Sequence, residues 1–177
     1  RKLGPDPIDL FLIHWPVEGK RKESWKILEK LYAEKKVRAI GVSNYTIRHL
    51  KELMAYAKVV PAVNQVEFHP FLYQKELLDF CRRHNIQLEA YSPLVRGKRM
   101  KDATIAKVAK AHGKTPAQVM IRWGLQHGVV TIPKSTHAER IKENANVYGF
   151  DLSEKEMTAL DNLDENYRTC WDPTDAP

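Results

Sequence analysis

The chain has 177 residues, 43% of them hydrophobic, and carries 29 Lys and Arg against 22 Asp and Glu for a formal net charge of +7. That length supports one sizeable core and, taken alone, a single domain, while no run approaches the ~18 consecutive apolar residues of a membrane span. The basic residues are scattered among acids, as in Arg21-Lys22-Glu23, and are not interleaved with aromatics, which argues against nucleic-acid and membrane partners and favours a small anionic ligand.

In chain order, short apolar runs at residues 8–13, 39–42, 62–66, 86–90 and 129–132 predict five strands covered on both faces. Helical patterns separate them. Residues 23–36 carry Trp25, Ile27, Leu28, Leu31 and Tyr32, and residues 47–58 carry Ile47, Leu50, Leu53, Met54 and Ala57. Residues 75–84 turn Leu77, Leu78 and Cys81 inward. Two helices precede the fifth strand: residues 102–112, stopped by Gly113, and a second opened by the capping box Thr115-Pro116-Ala117-Gln118. Beyond the fifth strand, Thr136 with Glu139 predicts a capped helix running to Tyr148, stopped by Gly149. Ser153 with Glu156 caps a last helix at 153–160, before an irregular tail.

Five βα repeats mean an α/β fold with a parallel sheet and right-handed crossovers. An open doubly wound sheet and part of a (β/α)8 barrel of the TIM type both fit, but Gly-x-Gly-x-x-Gly is absent, so the first lacks its usual dinucleotide fingerprint. In either, ligands sit at the carboxyl ends of the strands. Those ends read His14-Trp15, Ser43-Asn44, Gln65 with Glu67, Tyr91-Ser92 and Lys134-Ser135. Tyr91 can stack on a heterocycle, and Ser43, Asn44 and Gln65 can grip a carboxamide. Ile132-Pro133-Lys134-Ser135-Thr136 leads into the helix carrying Arg140, Glu143 and Asn144. A Lys, an Arg and a helix N-terminus together make a site for a phosphate. Cys81 and Cys170 stand alone and far apart, which predicts no disulfide framework, no bound metal and a reducing cytoplasm.

These stretches resemble the aldo-keto reductases: His14-Trp15-Pro16, Gly41-Val42-Ser43-Asn44-Tyr45, Asn64-Gln65-Val66-Glu67, Tyr91-Ser92-Pro93-Leu94, Ile132-Pro133-Lys134-Ser135 with Arg140, Glu143 and Asn144, and the Arg168–Pro173 tail. The resemblance runs through essentially the whole chain. It implies about five βα units of a (β/α)8 barrel, with 1–177 as a single domain and 151–177 as its C-terminal helix and substrate-loop tail. It further implies NADPH as cofactor, reduction of a small-molecule aldehyde or ketone, and a monomer when full length. Carried over by position, Ser43, Asn44 and Gln65 hold the nicotinamide amide, Tyr91 stacks on its ring, and Ser92 and Leu94 lie along the pyrophosphate. Lys134, Ser135 and Arg140 take the adenosine 2′-phosphate, with Glu143 and Asn144 toward the adenine. Trp15, Cys170 and Trp171 line the substrate pocket, and His14 is the catalytic histidine that orients the carbonyl. The family also uses a Tyr, a Lys and an Asp on its first strands. None of the seven Tyr here stands in the Asp-x-Ala-x-x-Tyr context, and residues 1–4 read as the approach to a fourth strand, after an upstream segment. The same features allow a non-catalytic or truncated, inactive nucleotide-binding relative.

Overall fold

The computed structural model describes residues 7–176; residues 1–4, read above as the approach to a fourth strand, lie outside them. The described elements run β1 (Ile8–Ile13), α1 (Arg21–Ala33), β2 (Val37–Ser43), α2 (Ile47–Met54), β3 (Val63–Glu67), α3 (Lys75–Arg83), β4 (Gln87–Tyr91), α4 (Ala103–His112), α5 (Pro116–Gln126), β5 (Val130–Thr131), α6 (Ala138–Ala145) and α7 (Glu154–Asp161). The five strands form one sheet in sequence order, and β1–β2, β2–β3 and β4–β5 pair in parallel. A parallel sheet ordered this way requires a crossover between every neighbouring pair, and α1 to α5 supply them.

The contacts divide the residues into two compact units. The first holds β1, β2 and β3 as far as Val66, α1 to α3, the start of β4 and residues 172–176. Its core gathers Trp25, Ile40, Val42, Leu50, Leu53, Leu78, Cys81 and Leu88, each no more than 2% exposed. Burial raises the Cys81 thiol to about 12 against a weaker opposing bond from Asn64, so this cysteine is an inert core residue. The second unit holds residues 67–74 and 89–171. Phe68 stacks on Trp123 with ring centroids 5.0 Å apart, among Leu72, Ala90, Ile105, Met120 and Leu160.

The helix ends follow a shared rule. After α1, α3, α4 and α5, one residue enters the left-handed region: Lys35, Asn85, Gly113 and Gly128. The amides that follow then bond back to Leu31, Cys81, Ala109 and Gly124, the Schellman closure of a helix. This is why α1 stops at Ala33 and not at residue 36, and its Ile27 and Tyr32 are exposed while Trp25 and Leu28 are buried. α2 likewise ends at Met54, short of residue 58. The capping boxes at Thr115 and Ser153 form as expected. A third, unexpected one joins Thr46 to His49, whose Nδ1 lies 3.2 Å from the Thr46 amide.

The helix beyond β5 departs from expectation. Its N-cap is His137 with no side-chain cap bond, so the Thr136–Glu139 box is not made. The Ser135 hydroxyl accepts from the His137 amide at 3.1 Å instead, a local turn that displaces the helix start. The helix also ends at Ala145, before Tyr148, because Asn146 leaves helical geometry and Val147 turns into the core.

Candidate functional site

In the first unit, the ends of β1, β2 and β3 are laced together by two residues. Asn44 adopts φ +63, a conformation Asn tolerates better than most side chains. From there its Nδ2 donates to the His14 carbonyl at 3.0 Å and to Ser43 Oγ at 3.1 Å. The Ser43 hydroxyl and the Asn44 amide both donate to the Gln65 carbonyl, at 2.8 and 2.9 Å. Ser43 and Asn44 are buried, Gln65 and Trp15 half-buried, and His14 exposed. Asn64 supports the same corner from behind, donating from Nδ2 to the Tyr45 carbonyl at 2.9 Å. A fixed set of amide and hydroxyl bonds thus ties the backbone of His14 to the ends of β2 and β3.

In the second unit, a cavity of about 800 Å³ opens beside the ends of β4 and β5. Its wall contains Ser92, Leu94, Lys134, Ser135, Arg140, Glu143 and Asn144, which are all of this unit's expected cofactor residues except Tyr91. Lys134 and Arg140 are exposed cations, and the α6 N-terminus beside them lacks a side-chain cap. Donors and positive charge therefore face the same space, as an anionic ligand requires. Sequence reasoning missed Arg96 and Met100, which share the wall. They lie on a turn where Ser92, Val95 and Arg96 all have φ near +50, strained for non-glycine residues and of the kind that clusters at ligand sites.

Gln118 holds this wall in place. Its Oε1 accepts from the Thr115 amide at 3.1 Å, completing the α5 capping box. Its Nε2 donates to the carbonyls of Glu143 and Asn146, at 3.1 and 2.9 Å. One side chain thus caps the start of α5 and the end of α6. Thr115 adds a bond from its hydroxyl to Glu143 Oε1 at 2.6 Å. Glu143 is therefore braced, and Asn144 beside it is 8% exposed. The capping box was visible in the sequence; its second duty was not, because nothing local marks the carbonyls of a helix 25 residues away.

At the other edge, Tyr91 is half-buried, and its phenol is pushed above the ordinary tyrosine value, first by burial and then by Cys170 and Glu67. It stays neutral and can offer a ring face. Cys170 Sγ lies 2.9 Å from Arg96 Nη2 and 3.8 Å from Ser92 Oγ, while Trp171 is 79% exposed. Among the described residues no group of three or more His, Cys, Asp or Glu could hold a metal ion.

Residues 1–165 match the model of the Aldo/keto reductase family. The chain belongs to that family. It is 53% identical over 172 or more residues to relatives such as the 9,11-endoperoxide prostaglandin H2 reductase of Trypanosoma cruzi, covering 97% of this chain and 62% of that protein. It is 51% identical to the glyoxal reductase of Bacillus subtilis, with 97% of this chain and 62% of that one aligned. Among solved structures, a mutant of Gox0644 in complex with NADPH superposes with a TM-score of 0.91 at 43% identity, over 97% of this chain and 65% of that one. The chain therefore spans about three-fifths of the length of the curated family members it matches. Within the family's (β/α)8 barrel, the parallel sheet and its helices account for five βα units.

Proposed function

We propose that this aldo-keto reductase chain binds NADPH and serves the reduction of small aldehydes or ketones to alcohols. One observation carries the proposal: seven residues singled out for the cofactor line one cavity, with Lys134 and Arg140 as cations on its wall. The residues fit the group. Lys134, Ser135 and Arg140 take the adenosine 2′-phosphate, and Ser92 and Leu94 lie along the pyrophosphate. Ser43, Asn44 and Gln65 hold the carboxamide, with Tyr91 against the ring. When bound, the cofactor supplies the hydride. His14, exposed at the end of β1, donates a hydrogen bond to the carbonyl oxygen and stabilises the negative charge that develops there. Trp15 and, in the tail, Cys170 and Trp171 are the residues assigned to the carbonyl substrate.

Charge-assisted bonds to phosphate contribute about 1.5–3 kcal/mol each, so Lys134→Met and Arg140→Met should each weaken NADPH roughly 10- to 100-fold. NADH, without the 2′-phosphate, should change by less than about threefold. Fluorescence titration of both nucleotides measures this, and equal losses for the two would refute the assignment. Turnover is followed as loss of NADPH absorbance by the full-length protein against a panel of aldehydes and ketones. No turnover with any of them would refute the reductase reading while leaving the nucleotide titration to stand on its own.

A further inference from the structure

The Glu67 carboxylate is 1% exposed and saturated with donors. Oε1 accepts from the Thr169 amide at 2.8 Å, from the Thr169 hydroxyl, and from His69 Nε2 at 3.2 Å. Oε2 accepts from the Cys170 amide at 3.1 Å. Three of these four donors belong to two consecutive residues of the C-terminal tail, about a hundred positions away in sequence. Both carboxylate oxygens are thus engaged, Oε1 by three donors and Oε2 by one. Without the tail, a buried charge would retain only His69, which makes the undocked state costly.

The same tail is held further back by a separate set of contacts. The Phe71 carbonyl accepts from the Tyr167 amide at 2.9 Å, and the Arg99 guanidinium lies 4.6 Å from the Tyr167 ring centroid. These fix residues up to Tyr167. The Glu67 contacts hold the backbone amides of Thr169 and Cys170, and the Cys170 thiol in turn meets the cavity residues Ser92 and Arg96.

We propose that Glu67 is a positioning residue for the substrate end of the site: its buried carboxylate sets where Cys170 and Trp171 stand, and through them which carbonyl substrates fit. The functional half of this statement rests on the reductase reading above; the structural half does not. Glu67→Gln keeps the shape but leaves one acceptor oxygen where two served three tail donors. Amide hydrogen exchange should then quicken about tenfold or more at Thr169 and Cys170, with Val129 and Ile132 within about twofold of the parent. Unchanged exchange at 169 and 170 overturns the proposal. So does a common acceleration at all four amides, which would mark a merely structural carboxylate. Should that variant fail to fold, Thr169→Val removes only the hydroxyl donor; local acceleration at Thr169 supports the anchor, and its absence overturns it. In turnover by the full-length protein, Glu67→Gln should raise KM for a bulky aromatic aldehyde about fivefold or more, with kcat and NADPH affinity within about twofold. A matching loss of NADPH affinity overturns the substrate-end assignment. If no carbonyl is turned over by the parent, the reductase reading fails while the exchange measurement still decides the anchor.

Discussion

Gln118→Leu is the sharpest test of how the cavity wall is held. The substitution keeps a side chain of similar bulk at a position 5% exposed. It deletes the acceptor for the Thr115 amide and both donors to the Glu143 and Asn146 carbonyls. A polar group left without a partner in a buried place costs about 1–3 kcal/mol. Thr115 is half-buried and Asn146 exposed, so water recovers part of that for two of the three groups. Summed over the three groups with that discount, the loss comes to roughly 2–4 kcal/mol. At about 2–4 °C per kcal/mol for a chain of this size, the melting temperature should fall by roughly 4–16 °C. Urea unfolding followed by tryptophan fluorescence gives the free energy directly, since Trp123 lies on the same helix. NADPH affinity should weaken as well, because the end of α6 positions Asn144. Gln118→Glu separates the two duties: a carboxylate still accepts from the Thr115 amide but faces the two α6 carbonyls with no donor. It should keep the α5 cap and lose the α6 tie, weakening NADPH at least as much as Leu. A loss of stability below about 1 kcal/mol in Gln118→Leu, or unchanged NADPH affinity in both variants, would refute the reasoning.

Gly41→Ala should destabilise by about 1–3 kcal/mol or more, since its Cβ would stand 2.5 Å from the Val63 carbonyl oxygen and 2.7 Å from Leu12 Cδ2; urea unfolding with a change inside ~0.5 kcal/mol would contradict this. Burial raises the Glu67 carboxyl, but bonds from His69 and Thr169 outweigh it and hold the group at about 2, against 4.5 for the free side chain. Its contribution of about 3 kcal/mol is fully present above pH 4.5 and is lost as pH falls toward 2; Glu67→Gln should flatten that part of the acid-unfolding profile. His49 is lowered first by burial, against a raising bond from its ring to the Ala176 carbonyl, 2.9 Å from Nε2. The unfolded chain therefore binds the proton more readily, and stability should drop as pH falls below 6.5, a slope that His49→Gln should reduce.

Strand and helix existence was legible because it depends on local periodicity and capping chemistry. β1 begins and ends at the predicted residues, and the Thr115 and Ser153 boxes form at the predicted positions. Thr136 and Glu139 carry the same local pattern and yet make no box: Ser135 and His137 form a local turn and the helix starts one residue later, with His137 as its N-cap. The candidate site followed a comparable division. The polar residues that close each apolar run were readable, and with them Ser43, Asn44, Lys134 and Ser135, because a parallel strand must end in something polar and that end is where ligands lie. Glu67 was visible at such an end, but its role was not: the partners are the backbone amides of Thr169 and Cys170, and an amide looks alike in every residue.

The sequence by itself determined the α/β class, the succession of βα units, the family resemblance and the two cations that close the fifth strand and open onto the next helix, since each rests on residue type and short-range spacing. Only the tertiary structure decided which side chains hold those parts in register. Gln118 bridging α5 to α6, Asn44 lacing three strand ends, and Glu67 binding the tail all work through backbone groups brought close by folding. Their bonds depend on distance in space, which a linear pattern of residue types does not encode.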